Sequence, residues 1–172
     1  MRRTLSTLVV LAMLFATGSV VAAAEPAAPA PARSDVALLT LTTMPRGWQE
    51  RIDLRPLLQV HADGRAVHQP DAIAPERNPN TPPRQVDGTV RREVIDAALA
   101  EITALSTVDL GMPASGDGSQ IIDMMPEPPG QNLHLIVYGP DSTDGLTAEQ
   151  QNARKRFADV YRSLLDAFVA DR

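Results

Sequence analysis

The sequence predicts an α+β fold: a single antiparallel sheet of four to five strands with two helices on one face, in the chain order β-ββα-ββα. Three observations support this prediction. Asp63-Gly64 separates two short β-like segments, as in a hairpin. Apolar residues recur at helical spacing in two segments, 90–105 and 153–168. Each of these segments follows a pair of predicted strands, so a hairpin followed by a helix occurs twice.

The first three predicted strands lie before residue 70. Val36–Thr43 is apolar and rich in β-branched residues, which is typical of a strand. Asp-Gly is favoured in two-residue hairpin turns, because both turn residues there have positive φ. Such a turn would pair Val60 with Val67 and place both in the core. His61 and His68 would then lie together on the opposite face.

A long surface loop is predicted for Pro70–Val86, which contains five prolines. Proline lacks the N–H that regular structure requires, so neither a helix nor an inner strand fits this segment. Thr89 is suited to cap a helix that begins at Val90. The apolar residues of this helix stand at positions 90, 94, 95, 98, 99, 102 and 105.

Two further strands and a second helix complete the prediction. Gln120–Met125 and Asn132–Tyr138 have strand character, and the second of them is expected at the centre of the sheet because it is the most apolar. Thr147 and Gln150 have the spacing of a capping box, which begins a helix. That helix carries one apolar stripe, expected to pack in the core: Ala153, Phe157, Val160, Tyr161, Leu164 and Phe168.

Length and composition exclude several classes of function. The chain has 172 residues, with 16 Lys and Arg against 21 Asp and Glu, for a formal net charge of −5. This length suits one domain with a core of its own. The acidic balance opposes binding to nucleic acid, whose phosphates attract basic surfaces. The sequence contains no cysteine, which excludes disulfides, thiolate nucleophiles and cysteine-ligated metals.

The N-terminus has the pattern of a secretory signal peptide, predicted for residues 1–24. A cationic start and an apolar stretch end in small residues, which suits cleavage after Ala24. Residues 25–34 are predicted to be a Pro/Ala-rich disordered tether, and residues 35–172 a single α+β domain. We therefore expect a secreted or cell-envelope protein without membrane insertion after cleavage. The alternative is a membrane anchor formed by an uncleaved signal.

Four motifs follow one another along the chain. They are a strand–Asp-Gly-Arg–strand hairpin at 62–67, a D-x-G-x-P loop at 109–113, an H-x-x-x-Y strand at 134–138 and an L-T-x-x-Q-x-x-A-R helix start at 146–154. Together they resemble a group of exported or lipoprotein-like actinobacterial proteins of unknown function, over residues 57–168. The resemblance implies export and one domain, and it supplies no catalytic residue. Because this sequence has no anchor cysteine, it does not imply a lipid tether.

Signals for chemistry are sparse. The sequence has no nucleophile motif and no phosphate-binding glycine loop, so neither a catalytic residue nor a cofactor is predicted. Ser115 and Ser119 would need the fold to bring His134 beside them before they could act as nucleophiles. His61 and His68, on one face of the predicted hairpin, are candidate metal ligands, and His134 or a carboxylate would have to complete such a site.

A binding surface is predicted around Trp48, His61, His68 and His134, together with the loop Pro70–Val86. An isolated tryptophan stacks on a ligand or fills the edge of a core. The sequence therefore predicts a secreted, non-enzymatic binding or interaction module, whose partner is a protein or another envelope ligand. The alternatives are an exported hydrolase-like enzyme with dispersed catalytic residues, and an inhibitor of an exported enzyme that uses the Pro-rich loop.

Overall fold

A computed structural model describes residues 36–48, 51, 53–128 and 130–172. The signal peptide and the tether predicted above lie outside the described residues. Of the helices in the described part, none has the length and hydropathy to cross a membrane. The elements, in chain order, are β1 (Leu39–Met44), β2 (Leu58–Val60), β3 (Arg65–His68), β4 (Val86–Val90), α1 (Arg92–Leu105), β5 (Ser119–Met124), β6 (Leu133–Tyr138), α2 (Ala148–Asp166) and β7 (Phe168–Ala170).

The seven strands form one antiparallel sheet in the order β6-β5-β1-β2-β3-β4-β7. The predicted α+β class, with two helices and an antiparallel sheet, is confirmed. The predicted strand number of four to five and the order β-ββα-ββα were wrong, because β4 and β7 are additional strands. The expected central position of β6 was also wrong, since this strand lies at an edge of the sheet.

The start of the first helix explains why β4 was missed. Thr89, expected as the cap of that helix, lies inside β4 and pairs with Arg65. The N-cap is Arg91, whose side chain makes no capping hydrogen bond, and α1 begins at Arg92. Val90, expected in the helix, is buried as the last residue of β4 instead. An apolar residue just before a helix fits the helical period and a strand equally well.

The strand β7 was missed for a similar reason, because its first residue fits the apolar period of the second helix. The capping box of Thr147 and Gln150 is present, so this part of the prediction is confirmed. However, α2 ends at Asp166, and Phe168 begins β7 instead of ending the helix stripe. Phe168 pairs with Val90 of β4 and still packs against the core.

One face of the sheet carries the core. In β1, Leu39 and Leu41 are fully buried towards this face, and Thr43 follows them with its hydroxyl 2.8 Å from the Tyr161 hydroxyl of α2. Both helices bury their apolar residues in the same cluster, and burial of each large side chain stabilises the fold by roughly 1.5–3 kcal/mol. The fully buried large residues are Phe157, Leu39, Leu41, Leu58, Ile95, Ile102, Leu105, Ile122, Leu164 and Val60.

The β2–β3 hairpin has a register different from the one predicted. The His61 N–H donates to the Arg65 carbonyl at 2.8 Å, which leaves a three-residue loop, and Gly64 takes a positive φ of 88° at its end. Val60 therefore pairs with Ala66 and not with Val67. Because a shift of one residue moves every side chain of a strand to the other face, Ala66 is in the core and Val67 is not.

The Pro-rich loop between β3 and β4 is pinned to the segment before β2. The Arg77 guanidinium is buried and donates to the Asp53 carboxylate at 2.7 Å and to the Ala72 carbonyl at 3.2 Å. Arg51 also donates to Asp53, at 2.7 Å, and its guanidinium carbon lies 3.9 Å from the ring centroid of Trp48. The loop is therefore ordered around an ion cluster, although it contains no helix or strand.

Candidate binding surface

The two histidines predicted as metal ligands lie on opposite faces of the sheet. His68 pairs with the core residue Leu58, so its side chain is on the helix face, with its ring centroid 5.2 Å from that of Phe168. Its pKa is lowered, first by burial and then by the charge of Arg84. His61 pairs with Arg65 through the three-residue loop, and strand alternation places it on the other face. The premise of the metal prediction, a shared face, was wrong.

His134 lies on the face of the sheet that the helices leave open. Its ring Nδ1 contacts the Asp123 carboxylate, which also accepts a hydrogen bond of 3.2 Å from the Thr40 hydroxyl. The carboxylate therefore stands between the hydroxyl and the imidazole. In a catalytic triad the imidazole stands between the hydroxyl and the carboxylate, so that it can act as the base for the hydroxyl. The contact with Asp123 orients the His134 ring, and the His134 side chain is 56% exposed.

The residues predicted for a binding surface do not come together. Trp48 is buried beneath Arg51, so its ring has no free face for a ligand. His134 is on β6, whereas His61 directly follows β2 and His68 ends β3. The strands β5 and β1 lie between this hairpin and β6. No group of three possible metal ligands is found among residues 36–48, 51, 53–128 and 130–172.

Neither loop serine meets His134 in the described part of the chain. Ser115 donates a hydrogen bond of 3.2 Å to Asp144 and lies 3.4 Å from the Ser142 hydroxyl. These contacts join the loop after α1 to the loop after β6. Ser119 is almost fully buried at the start of β5. Ser115 therefore has a structural role between two loops, and Ser119 is part of the sheet.

A different surface is formed by the outer edge of β6. The N–H of Gly139 donates to the carbonyl of Gly118 at 3.0 Å, which sets the alternation of the β5–β6 ladder. Odd-numbered residues of β6 direct their backbone groups to β5, and even-numbered residues direct theirs away from it. In the described chain no strand lies beyond β6. The outward groups are the N–H and C=O of His134 and Ile136 and the N–H of Tyr138.

A groove of about 530 Å³ runs along this edge. Its other wall is formed by Leu105, the last residue of α1, and by the segment 106–112 that follows. Three exposed apolar side chains stand beside it: Met112 is 69% exposed, Tyr138 43% and Val108 38%. Leu135 and Ile136 also line the groove. We call this surface the β6 groove.

The wall of the β6 groove is held in place by the second helix. Asp109 accepts a hydrogen bond of 2.8 Å from the Gly111 N–H and another of 2.8 Å from the Gln150 side-chain amide. These bonds, the Gly111 bond first, lower the pKa of Asp109. Gly111 has a φ of +64°, and a Cβ there would lie 2.7 Å from Gln150. Gln150 thus completes the capping box and positions the wall.

A buried arginine ties the same parts together. Arg154 of α2 donates to the carbonyls of Tyr138 at 2.6 Å, Gly139 at 2.7 Å and Leu110 at 3.4 Å. Burial lowers its pKa, and the three carbonyls satisfy the desolvated guanidinium. One side chain thereby joins the wall, the end of β6 and the helix, so the width of the groove is set by α2.

The sequence motifs contain the parts of this groove but not their assembly. The D-x-G-x-P loop holds Asp109 and Gly111, the H-x-x-x-Y strand is β6, and the last motif supplies Gln150 and Arg154. Their contacts show that these motifs build one local structure.

Comparisons with protein-family models, with curated proteins and with solved structures found no match to this chain.

Proposed function

We propose that this protein is a secreted, non-enzymatic interaction module of the cell envelope or extracellular space, and that the β6 groove is its binding surface. The apolar N-terminal segment and the resemblance to exported actinobacterial proteins support export. A mature form that begins at Glu25 would be the product of the expected cleavage, and N-terminal sequencing of the secreted protein tests this.

One observation carries the binding proposal. Among the described residues, the exposed large apolar side chains are Val36, Val108, Met112, Tyr138 and Val169, and three of these five border the β6 groove. Isolated apolar residues on a surface need no explanation, but a cluster beside an uncovered strand edge is typical of an interaction site.

The test is capture of a partner from culture filtrate by the immobilised full chain. A partner that binds the β6 groove should be retained in stoichiometric amount by the wild type. Met112→Glu places a charge on the exposed apolar wall, and we expect retention to fall by about tenfold or more, the factor that 1.4 kcal/mol represents. Quantitative mass spectrometry of the eluted proteins gives the ratio.

Val169→Glu is the matched control, because Val169 is a similarly exposed apolar residue, 61% accessible, on β7 at the opposite edge of the sheet. This variant should retain the partner as the wild type does. Equal retention by Met112→Glu and the wild type would contradict the proposal, and so would an equal loss in both variants. A wild type that retains no stoichiometric partner would also count against it.

A further inference from the structure

We propose that the ligand of the β6 groove is an extended segment of another protein, apolar and positively charged, that adds to the sheet as a strand beside β6. This inference rests on the proposed function and names the chemistry of the partner. It is carried by three properties of the groove: the outward backbone groups of β6, the apolar side chains on both sides of them, and the sign of the charge beside them.

The backbone groups determine the shape of the ligand. The outward N–H and C=O groups of His134 and Ile136 recur at every second residue, roughly 7 Å apart along the strand. Another extended polypeptide has donors and acceptors with the same spacing. In a helix, by contrast, the backbone N–H and C=O groups are already bonded to one another within the helix. Strand addition to a free sheet edge is a common mode of peptide recognition.

The strand β6 also lacks the features that protect an edge from pairing. It reads Leu-His-Leu-Ile-Val-Tyr, with no proline, lysine or acidic residue, and it pairs with β5 over all six residues without a bulge. The other edge strand, β7, has only three residues. Short edge strands are protected from pairing, and long uncharged ones are not. Within residues 36–48, 51, 53–128 and 130–172, the longer and more apolar edge of the sheet is therefore left without a neighbouring strand.

The side chains of an added strand would alternate between two surroundings. On the helix side they would lie beside Leu135 and against Val108 and Met112 of the wall. On the open side they would lie beside His134, Ile136 and Tyr138. Both surroundings are mainly apolar, so β-branched or aromatic residues suit the ligand on both faces.

The charge of the groove selects a cationic ligand and disfavours a second copy of this chain. Among the described residues that line the groove, Asp109 is the only Asp, Glu, Lys or Arg. The nearby Arg154 guanidinium is buried and donates to the carbonyls of Leu110, Tyr138 and Gly139, whereas the Asp109 carboxylate belongs to the wall itself. The whole chain carries a formal charge of −5. Pairing of two copies through β6 would bring two Asp109 carboxylates to one groove without a cation between them. A lysine or arginine on the ligand would complement this charge and speed association.

The experiment follows the backbone amides of the full ¹⁵N-labelled chain by hydrogen exchange during titration with synthetic peptides. The first probe is a heptapeptide of five valines with a lysine at each end, so that both faces of the added strand carry β-branched side chains. A second replaces lysine by glutamate, and a third is the first peptide with every backbone nitrogen methylated. We expect the first to protect the amides of His134, Ile136 and Tyr138, while those of Leu135 and Val137 are already protected by β5.

The glutamate and N-methylated peptides should bind at least about tenfold more weakly, because one repels Asp109 and the other has no donors for the edge. A second groove lies between α1 and α2 and is lined by Val94, Ala97 and Val160, among others. Protection of amides there instead of at β6 would overturn the proposal. Equal binding of the lysine and glutamate peptides would overturn its charge requirement. Protection of the three outward amides that rises with protein concentration alone would show that a second copy is the ligand.

A backbone variant separates this inference from the proposed function. Ile136→Pro removes one outward N–H and no bond to β5, and retained exchange protection across β5–β6 shows that the variant is folded. Strand addition predicts that Ile136→Pro loses the captured partner about as strongly as Met112→Glu does. If Met112→Glu loses the partner and folded Ile136→Pro keeps it, the β6 groove is a binding surface but strand addition is wrong.

Discussion

Asp53 shows how one carboxylate orders a long loop. It lies between two guanidinium groups, Arg51 and Arg77, each within 2.7 Å of a carboxylate oxygen. The hydrogen bonds from Arg51 are the largest cause of a pKa lowered to about 2. A buried arginine is costly unless it is paired, so the ionised state of Asp53 stabilises the position of Arg77 and, through it, the Pro-rich loop.

The free energy of unfolding should depend on pH through this residue. The unfolded Asp53 carboxyl binds a proton near pH 3.8 and the folded one near pH 2. The stabilisation is therefore complete above pH 3.8 and is lost as the pH falls through that interval. We expect Asp53→Asn to be less stable than the wild type at neutral pH, with a difference that narrows towards pH 2. Urea unfolding at several pH values measures it, and a difference independent of pH would contradict the assignment.

Elements with local signals could be predicted, and those that depend on distant partners could not. The helix α2 contains its own cap and apolar stripe, so its start at Thr147 was correct. The β2–β3 register depends on whether Asp63-Gly64 closes a loop of two residues or three, which these two residues do not decide. The edge position of β6 depends on β5 and β1 lying on the same side of it, and apolar composition alone suggested the centre.

The start of α2 provides a prediction at this scale. Glutamate serves as well as glutamine in a capping box, so Gln150→Glu should preserve the cap at Thr147. It would nevertheless set a carboxylate against Asp109, which now accepts the Gln150 amide at 2.8 Å. We expect a lower thermal midpoint for Gln150→Glu. The double variant Gln150→Glu/Asp109→Asn should recover most of the loss, because the asparagine amide can donate to the new carboxylate. Scanning calorimetry of the wild type, the two single variants and the double variant measures the thermal midpoints. If the two single losses simply add in the double variant, the proposed contact between positions 109 and 150 is wrong.

At the scale of the whole molecule, both the sheet and the β6 groove join segments that are far apart in sequence. The groove combines the segment after α1, the strand β6 and one residue of α2. The far edge of the sheet joins β4 to β7 across the whole of α1 and α2. Periodicity reports which face of an element is buried but not which distant element covers it. For this reason the core residues could largely be predicted and the groove could not.

The closure of the sheet by β7 depends on a glycine. Gly88 pairs with Ala170, and a Cβ at Gly88 would lie 2.6 Å from ring atoms of Phe168 and closer still to the carbonyl oxygen of Val169. The Phe168 ring covers the space that a side chain would occupy, an arrangement that stabilises glycine in strands. Gly88→Val should therefore displace β7 and cost about 2 kcal/mol of unfolding free energy.

Displacement of β7 in Gly88→Val should leave the rest of the sheet intact, but it should change how the chains associate. In Gly88→Val, amide exchange of Phe168, Val169 and Ala170 should become fast while β1 and β5 remain protected, because only the β4–β7 pairing is blocked. The uncovered edge of β4 should then favour association between chains, seen as a mass that rises with protein concentration in light scattering. Thr89→Val is the control, since this neighbouring side chain is exposed on the opposite face. If Gly88→Val stays monomeric and its β7 amides are protected as in the wild type, the claim that a side chain at position 88 displaces β7 is wrong.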